Sequence, residues 1–147
     1  MKQIHLKGSW IIKAPKEEIY KIVSDFENMP KHFPTIAESV RITEKQGNHQ
    51  KMGARVKSFG KVFDVQMNTE LVPNIGFKST NSSSFGTSGY EELLMEDADG
   101  GTKINYTYEV EIHKPLLRLV ATPLIKWFAM WSWKRAFIDE LRKIVEK

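Results

Sequence analysis

The stretch from Thr122 to Glu146 most constrains the possible folds of this chain. Thr122 suits a helix N-cap and Pro123 the first helical position, where the missing N–H of proline costs nothing. No Gly or Pro follows up to Glu146. At about 100° per residue, apolar side chains gather on one half of the cylinder. These are Leu124, Trp127, Met130, Trp131, Trp133, Phe137, Ile138, Leu141, Ile144 and Val145. We therefore predict one long amphipathic helix that needs a broad apolar surface to cover its aromatic face.

Lys134 is the exception within this apolar face, because its angle places it among Trp127, Trp131 and Phe137. Two interpretations are open. The aliphatic part of the side chain can lie along the apolar surface while the ammonium group stays in water. Alternatively, the ammonium group points into a pocket and binds an acidic group of a ligand.

The composition bounds the class of protein. The 147 residues fit a single domain, 1–147, that is long enough to bury a core. The absence of cysteine excludes disulfides, thiolate catalysis and cysteine-bound metals. The N-terminus lacks the apolar core of a signal peptide, and no apolar run reaches the roughly 18 residues of a membrane span. We therefore expect a cytoplasmic protein. A net charge of +4 is no nucleic-acid signature, so no nucleic-acid partner is expected.

The rest of the chain predicts mostly strands. Alternating apolar residues indicate a first strand over Lys2–Lys13, and Pro15 opens a helix over Lys16–Phe26. That helix should stop by Asn28, because Pro30 disfavours helical geometry at Met29. Six further strands follow, and the last is the clearest. Its apolar positions are Ile104, Tyr106, Tyr108, Val110 and Ile112. Such alternation is typical of an antiparallel sheet with one solvated face.

Several local motifs accompany this order of elements. They are Ala14-Pro15 with Glu18, Ile19 and Tyr20; Ser24-Asp25-Phe26-Glu27; Met29-Pro30; Asp99-Gly100-Gly101-Thr102 with Asn105-Tyr106; and Pro115-Leu116 before the final helix. Together they resemble the START-like superfamily, also called SRPBCC or the helix-grip fold, in its polyketide cyclase/dehydrase and coenzyme Q-binding branch. The resemblance implies an α+β fold. A seven-stranded antiparallel sheet wraps around the long C-terminal helix, two short helices follow strand 1, and a cavity lies between sheet and helix.

The resemblance also implies that the cavity binds a hydrophobic or amphipathic small molecule, such as a polyketide-like aromatic, an isoprenoid quinone or a lipid. Apolar walls with a few polar groups are usual for such sites. The candidate ligand-binding residues are Phe63, Val65, Met67, Phe77, Tyr106, Tyr108, Trp127, Met130, Trp131 and Lys134. Ordinary core packing explains the same apolar and tyrosine side chains equally well.

An alternative function is enzymatic, as a polyketide cyclase/dehydratase that uses an inward Glu or Tyr for proton transfer. Glu91 and Glu92 are adjacent in a strand, so one of them must point to each face. An inward carboxyl would have a raised pKa suited to proton transfer. A protein-interaction module is a third possibility. The sequence does not decide whether the protein is an enzyme, and it does not indicate the ligand or the oligomeric state.

Other chemistry has little support in the sequence. The four histidines, His5, His32, His49 and His113, lack the i, i+4 spacing of a helical metal pair. The chain has no phosphate loop or dinucleotide fingerprint, so we expect no metal and no cofactor. The residues from Leu116 to Phe128 are densely apolar with basic neighbours. They suit either closure of the core, which we favour, or a transient contact with a membrane surface.

Overall fold

Seven strands form one antiparallel sheet in the computed structural model, which describes residues 4–58, 61–84 and 86–146. Lys2 and Gln3 of the predicted first strand lie outside the described residues. The strands are β1 (Ile4–Ile12), β2 (Ala37–Gln46), β3 (His49–Ser58), β4 (Lys61–Val72), β5 (Gly76–Ser83), β6 (Thr87–Ala98) and β7 (Gly101–Ile112). Their order in the sheet is β1-β7-β6-β5-β4-β3-β2. The predicted helix-grip architecture is therefore confirmed.

Two short helices follow β1, as predicted. They are α1 (Lys16–Val23) and α2 (Met29–His32), with a 3₁₀ turn between them. The expectation that Met29 would avoid helical geometry is wrong, since its φ and ψ are −54° and −40°. Pro30 lies in the first turn of α2, where its missing N–H costs nothing. The turn closes with a 2.7 Å hydrogen bond from the Phe33 N–H to the Met29 carbonyl.

The C-terminal helix has three parts: α3 (Pro115–Trp133), a π-helical segment (Lys134–Ile138) and α4 (Asp139–Val145). The side chains of Phe137, Ile138 and Leu141 are buried, as the apolar face predicts. A side chain near the end of the helix is hydrogen-bonded to the main chain of β1. Arg142 Nη2 donates to the Ile11 carbonyl at 3.1 Å. No helix in the described ranges is long and apolar enough to cross a bilayer.

The predicted start of this helix at Thr122 is wrong, because the helix begins at Pro115. Pro115, and not Pro123, is the proline at the first helical position, where a missing N–H costs nothing. Lys114 is extended, and the Arg118 N–H donates to its carbonyl at 2.8 Å to close the first turn. Pro123 therefore lies inside α3. The Oγ1 atom of Thr122 caps nothing and has no hydrogen-bond partner in the described structure.

The predicted apolar face is confirmed only in part along α3, where Met130 and Trp133 pack against the core and three other members do not. Leu124, Trp127 and Trp131 are 42%, 75% and 60% exposed. A π turn holds about one residue more than an α turn, so it rotates the preceding helix by roughly 100° relative to a continuous α-helix. The periodicity that correctly buries Phe137 therefore cannot be extended backwards through the π-helical segment.

Candidate functional site

A cavity of about 500 Å³ lies between the inner face of the sheet and the C-terminal helix. Because successive side chains of a strand point to opposite faces, the strands contribute mainly alternate residues. The wall residues from strands include Val40, Met52, Ala54, Val56, Val65, Met67, Phe77, Glu91, Tyr106 and Tyr108. Most of them are apolar. A volume of this size falls within the usual range of small-molecule sites, roughly 300–1,000 Å³.

Small side chains of the helix keep this cavity open. Ala129 and Ser132 of α3 and Ala136 of the π-helical segment face it. They repeat at spacings of three and four residues, so they form one stripe on the helix. This stripe is one residue out of step with the predicted apolar face, which contained Met130 and Trp133. Larger residues in the stripe would fill the space that a ligand needs.

Stacked aromatic rings connect β7 to the helix at one side of the cavity. The ring of Trp133 stacks on that of Tyr106, with 3.9 Å between centroids, and on that of Phe137, with 4.6 Å. Phe137 in turn stacks on Phe33, with 4.3 Å between the rings. Aromatic pairs contribute free energy beyond their buried area. The stack therefore holds the hydroxyl of Tyr106 in a defined position.

The strongest polar feature of the cavity is a carboxyl–phenol pair. Tyr106 Oη donates a hydrogen bond to Glu91 Oε2 at 2.6 Å. Burial raises the pKa of Glu91, although the hydrogen bond from Tyr106 partly opposes this. Burial and the neighbouring Glu91 carboxylate raise the pKa of Tyr106 well above its ordinary value. The pKa of Tyr108 is raised to about 12, mainly by burial and to a smaller extent by the charge of the nearby Glu91 carboxylate. The pair can therefore hold a proton beside a ligand.

The structure settles which of the two adjacent glutamates faces inward. Glu91 lines the cavity, whereas Glu92 lies on the other face and accepts a 2.6 Å hydrogen bond from Tyr90. A signal for this orientation exists in the sequence. Leu93 and Met95 are buried, and they share the strand parity of Glu91. Extending the alternation from these two apolar residues would have assigned Glu91 to the inner face.

Lys57 is a basic residue of the cavity that the sequence analysis missed. It is exposed and also lines the cavity, so we assign it to the opening. Its Nζ atom donates to the Pro34 carbonyl at 3.4 Å. Val56 beside it also lines the cavity, so strict alternation fails at this end of β3. No sequence signal distinguishes Lys57 from the other lysines of the strands.

The structure brings half of the predicted ligand-binding residues together at the cavity. Those in its wall are Val65, Met67, Phe77, Tyr106 and Tyr108. Those outside its wall are Phe63, Trp127, Met130, Trp131 and Lys134. The rotation of α3 by the π-helical segment accounts for the exposure of Trp127 and Trp131. Met130 still packs against the core, and Lys134 belongs to the π-helical segment itself. A role in ligand binding stays a prediction for the residues in the wall.

The residues outside the wall have other surroundings. Lys134 Nζ pairs with Asp139 Oδ1 at 3.2 Å, so the idea of a cation inside the cavity is not supported. The methyl group of Met130 packs over Gly8, where a Cβ atom would lie 2.9 Å from it. Trp127 and Trp131 are largely exposed.

The histidines add no second site. His32 Nε2 lies 3.2 Å from Asp25 Oδ2, and the same carboxylate accepts a 2.9 Å hydrogen bond from Asn28. This cluster joins α2 to the turn before it. Among the described residues, no group of three or more His, Asp or Glu side chains is placed to hold a metal ion.

Known proteins share this fold. A family model for polyketide cyclase/dehydrase and lipid transport matches residues 3–146. A search of curated proteins finds no match. A START superfamily protein from Mycobacterium smegmatis is 18% identical over 97% of both chains, with a TM-score of 0.81. The Zhui aromatase/cyclase from Streptomyces sp. R1128 is 16% identical over 97% of this chain and 93% of its own, with a TM-score of 0.77.

At such identities the solved structures establish the fold alone, whereas the family model adds sequence evidence over nearly the whole chain. Sheet order, the two short helices and the long C-terminal helix agree with both. The chain therefore belongs to the polyketide cyclase/dehydrase and lipid transport family.

Proposed function

We propose that the cavity binds a hydrophobic or amphipathic small molecule, with Glu91 and Tyr106 as its polar contact. The observation that carries this proposal is an apolar cavity with one proton-holding pair in its wall. The family description supports a polyketide-like aromatic or a lipid as the ligand, and an isoprenoid quinone is a further candidate of similar character. The apolar walls supply most of the affinity, at roughly 25 cal/mol per Å² of buried apolar surface before the cost of association.

The polar groups favour one orientation of the ligand. Glu91 resists ionisation, and in its neutral form it can donate a hydrogen bond to a ligand carbonyl or hydroxyl. In its ionised form it would repel an acidic group. The inner end of the ligand should therefore carry a neutral oxygen, and any acidic group should lie near Lys57 at the opening.

The same pair favours a second candidate function, a polyketide cyclase/dehydratase. Ring closure and dehydration both move protons, and an acid whose pKa is raised toward neutral pH is suited to that work. Glu91 would carry the proton. Tyr106 would hold the carboxyl in place and donate a hydrogen bond to it. The likeness in fold to an aromatase/cyclase is compatible with this candidate.

Filling the cavity tests the binding proposal. Val65→Trp puts an indole into the wall, and Val62→Trp on the same strand is the matched control, because Val62 is 39% exposed. Protein purified from its natural source would be examined by native mass spectrometry, and released molecules identified after denaturation. We expect Val65→Trp to retain at least tenfold less ligand than the wild type, and Val62→Trp to retain the same amount. Equal retention by a folded Val65→Trp variant would contradict the proposal.

The chemistry of the released molecule separates the two candidates. A carrier releases its ligand unchanged after incubation, whereas a cyclase returns a product with altered ultraviolet absorbance. A linear tetraketide is a suitable probe for the second case, with the absorbance of an aromatic product as the readout. Formation of that product at equal rates with wild type and Glu91→Gln would contradict the role of Glu91 as proton carrier.

A further inference from the structure

One side of α3 carries an unusual number of exposed apolar residues. This outer face of α3 comprises Leu116, Leu119, Val120, Leu124, Trp127, Phe128 and Trp131. Leu116 is 82% exposed, Leu119 75% and Trp127 75%. The spacings of three and four residues place them in one stripe, about 22 Å long at 1.5 Å per residue. Monomeric proteins in water rarely expose a continuous apolar surface of this kind.

Basic residues accompany the outer face of α3 along the sequence. Between Ile112 and Asp139 the chain has five Lys and Arg residues and no acidic one, and Asp139 itself pairs with Lys134. The basic residues are Lys114, Arg118, Lys126, Lys134 and Arg135. Lys126 lies at one edge of the stripe, next to Leu119 in projection. The guanidinium group of Arg135 lies 4.9 Å from the ring centre of Trp131.

This combination selects one kind of occupant. Trp side chains with flanking Lys and Arg are typical of a helix that lies in the interface of a bilayer. A second copy of the chain would bring two basic helices together, so like charges would oppose pairing through this face. An anionic lipid surface complements both the apolar stripe and the charge.

We propose that the outer face of α3 docks on an anionic lipid bilayer. Trp127, Trp131 and their apolar neighbours insert at the level of the headgroups, and Lys126 and Arg135 contact lipid phosphates. This inference does not depend on what the cavity binds, because Ala129 and Ser132 line the cavity from the opposite side of the helix. Docking would place that wall of the cavity next to the lipid.

The test uses the full chain and vesicles of two compositions. Flotation with phosphatidylcholine vesicles is compared with flotation after about 30% phosphatidylglycerol is added, which gives the surface a negative potential. We expect at least tenfold more bound protein on the anionic vesicles. We also expect a blue shift of Trp emission and a loss of binding in about 1 M salt, where charges are screened beyond about 3 Å.

Two variants assign the binding to this face. Trp127→Ser removes a 75% exposed indole, so it should leave the fold intact while lowering vesicle binding about tenfold. Lys126→Glu should lower binding to anionic vesicles by a similar factor. Ile75→Ser removes an exposed apolar side chain far along the chain from α3, and it should bind like the wild type.

Three outcomes would overturn the proposal. One is no association of the wild type with anionic vesicles. Another is equal association of Trp127→Ser and the wild type. The third is a dimer in sedimentation velocity that Trp127→Ser dissociates, because that result would assign the outer face of α3 to a second copy of the chain.

Discussion

At the scale of single residues, Glu91 combines two opposing effects. Burial disfavours its charged form, whereas the hydrogen bond from Tyr106 favours it. The effect of burial is larger, so the pKa is raised. The folded chain therefore keeps a proton on this carboxyl at pH values where the unfolded chain has lost it. When such a buried carboxyl ionises, the free energy of unfolding of the protein falls.

Glu91→Gln tests this cost. The carboxyl has an ordinary pKa of 4.5 and a higher value in the folded chain. Between these two values the folded state binds more protons, so stability falls as the pH rises through the window. Glutamine still accepts the hydrogen bond from Tyr106 but cannot ionise. We therefore expect the Tm difference between Glu91→Gln and wild type to become more positive as the pH rises from about 4 to 8.

The matched control is Glu96→Gln, which removes a carboxylate from an exposed position of the same strand. It shows how much of the change comes from the loss of one negative charge. Scanning calorimetry or fluorescence at several pH values gives the Tm. A difference for Glu91→Gln that stays flat or falls with pH would show that the folded environment does not raise this pKa.

At the scale of elements, the π-helical segment decides what the C-terminal helix presents to the cavity. It adds one residue to a turn, so the helix on its two sides has different phases. Phe137 and Ile138 at its end and Leu141 after it are buried. Before it, Ala129 and Ser132 face the cavity. A continuous α-helix would need one residue fewer to keep both faces in place.

Deletion of a single residue should have different effects in the π-helical segment and in α3. Removal of Arg135, an exposed residue within the π-helical segment, should convert it to an α turn and preserve both faces. The deletion also removes the contact of Arg135 with the Trp131 ring, worth about 0.5–1 kcal/mol at an exposed site. Removal of Lys126, also exposed, should rotate Ala121 off the sheet. We expect it to lower the free energy of unfolding by about 2 kcal/mol or more.

Chemical denaturation of both deletion variants measures these free energies, and near-ultraviolet circular dichroism reports whether the stacked aromatic rings keep their arrangement. A loss of stability after removal of Arg135 as large as that after removal of Lys126 would contradict the proposed change to an α turn. The two deletions each remove one positive charge and one exposed side chain, so charge and surface effects cancel in the comparison.

The strands and the C-terminal helix differ in how well their inward-facing residues can be predicted from the sequence. The alternation in β7 predicted its inner residues, since strand parity is a local property that a sheet preserves. The same kind of reasoning misplaced Trp127 and Lys134, because helical phase accumulates along the chain and one π turn resets it. No residue type marks Lys134–Ile138 as π-helical. The start at Pro115 was missed because Pro123 satisfies the same rule and lies beside a better capping residue.

At the scale of the whole molecule, the core consists of two clusters of unequal size. The larger cluster surrounds the cavity and contains the aromatic stack. The smaller one joins α3 to β1 and β7 through Ile4, Val110, Ile112 and Ala121, with Leu117 and Ile125 at its edge. Since the outer face of α3 has no partner in the described structure, this small cluster holds the first half of α3. Local stability should therefore be lowest there.

Hydrogen exchange tests this gradient of stability. Amides in residues 115–128 should exchange well before those of β6 and β7, whose hydrogen bonds lie inside the sheet. Pro123→Ala supplies the N–H that the carbonyl of Leu119 lacks and removes a helix penalty of up to about 3 kcal/mol. This exposed substitution should slow exchange in residues 115–128 about tenfold or more and leave β7 unchanged. Equal exchange rates in α3 and β7 of the wild type would contradict the gradient, since both would then open only by global unfolding.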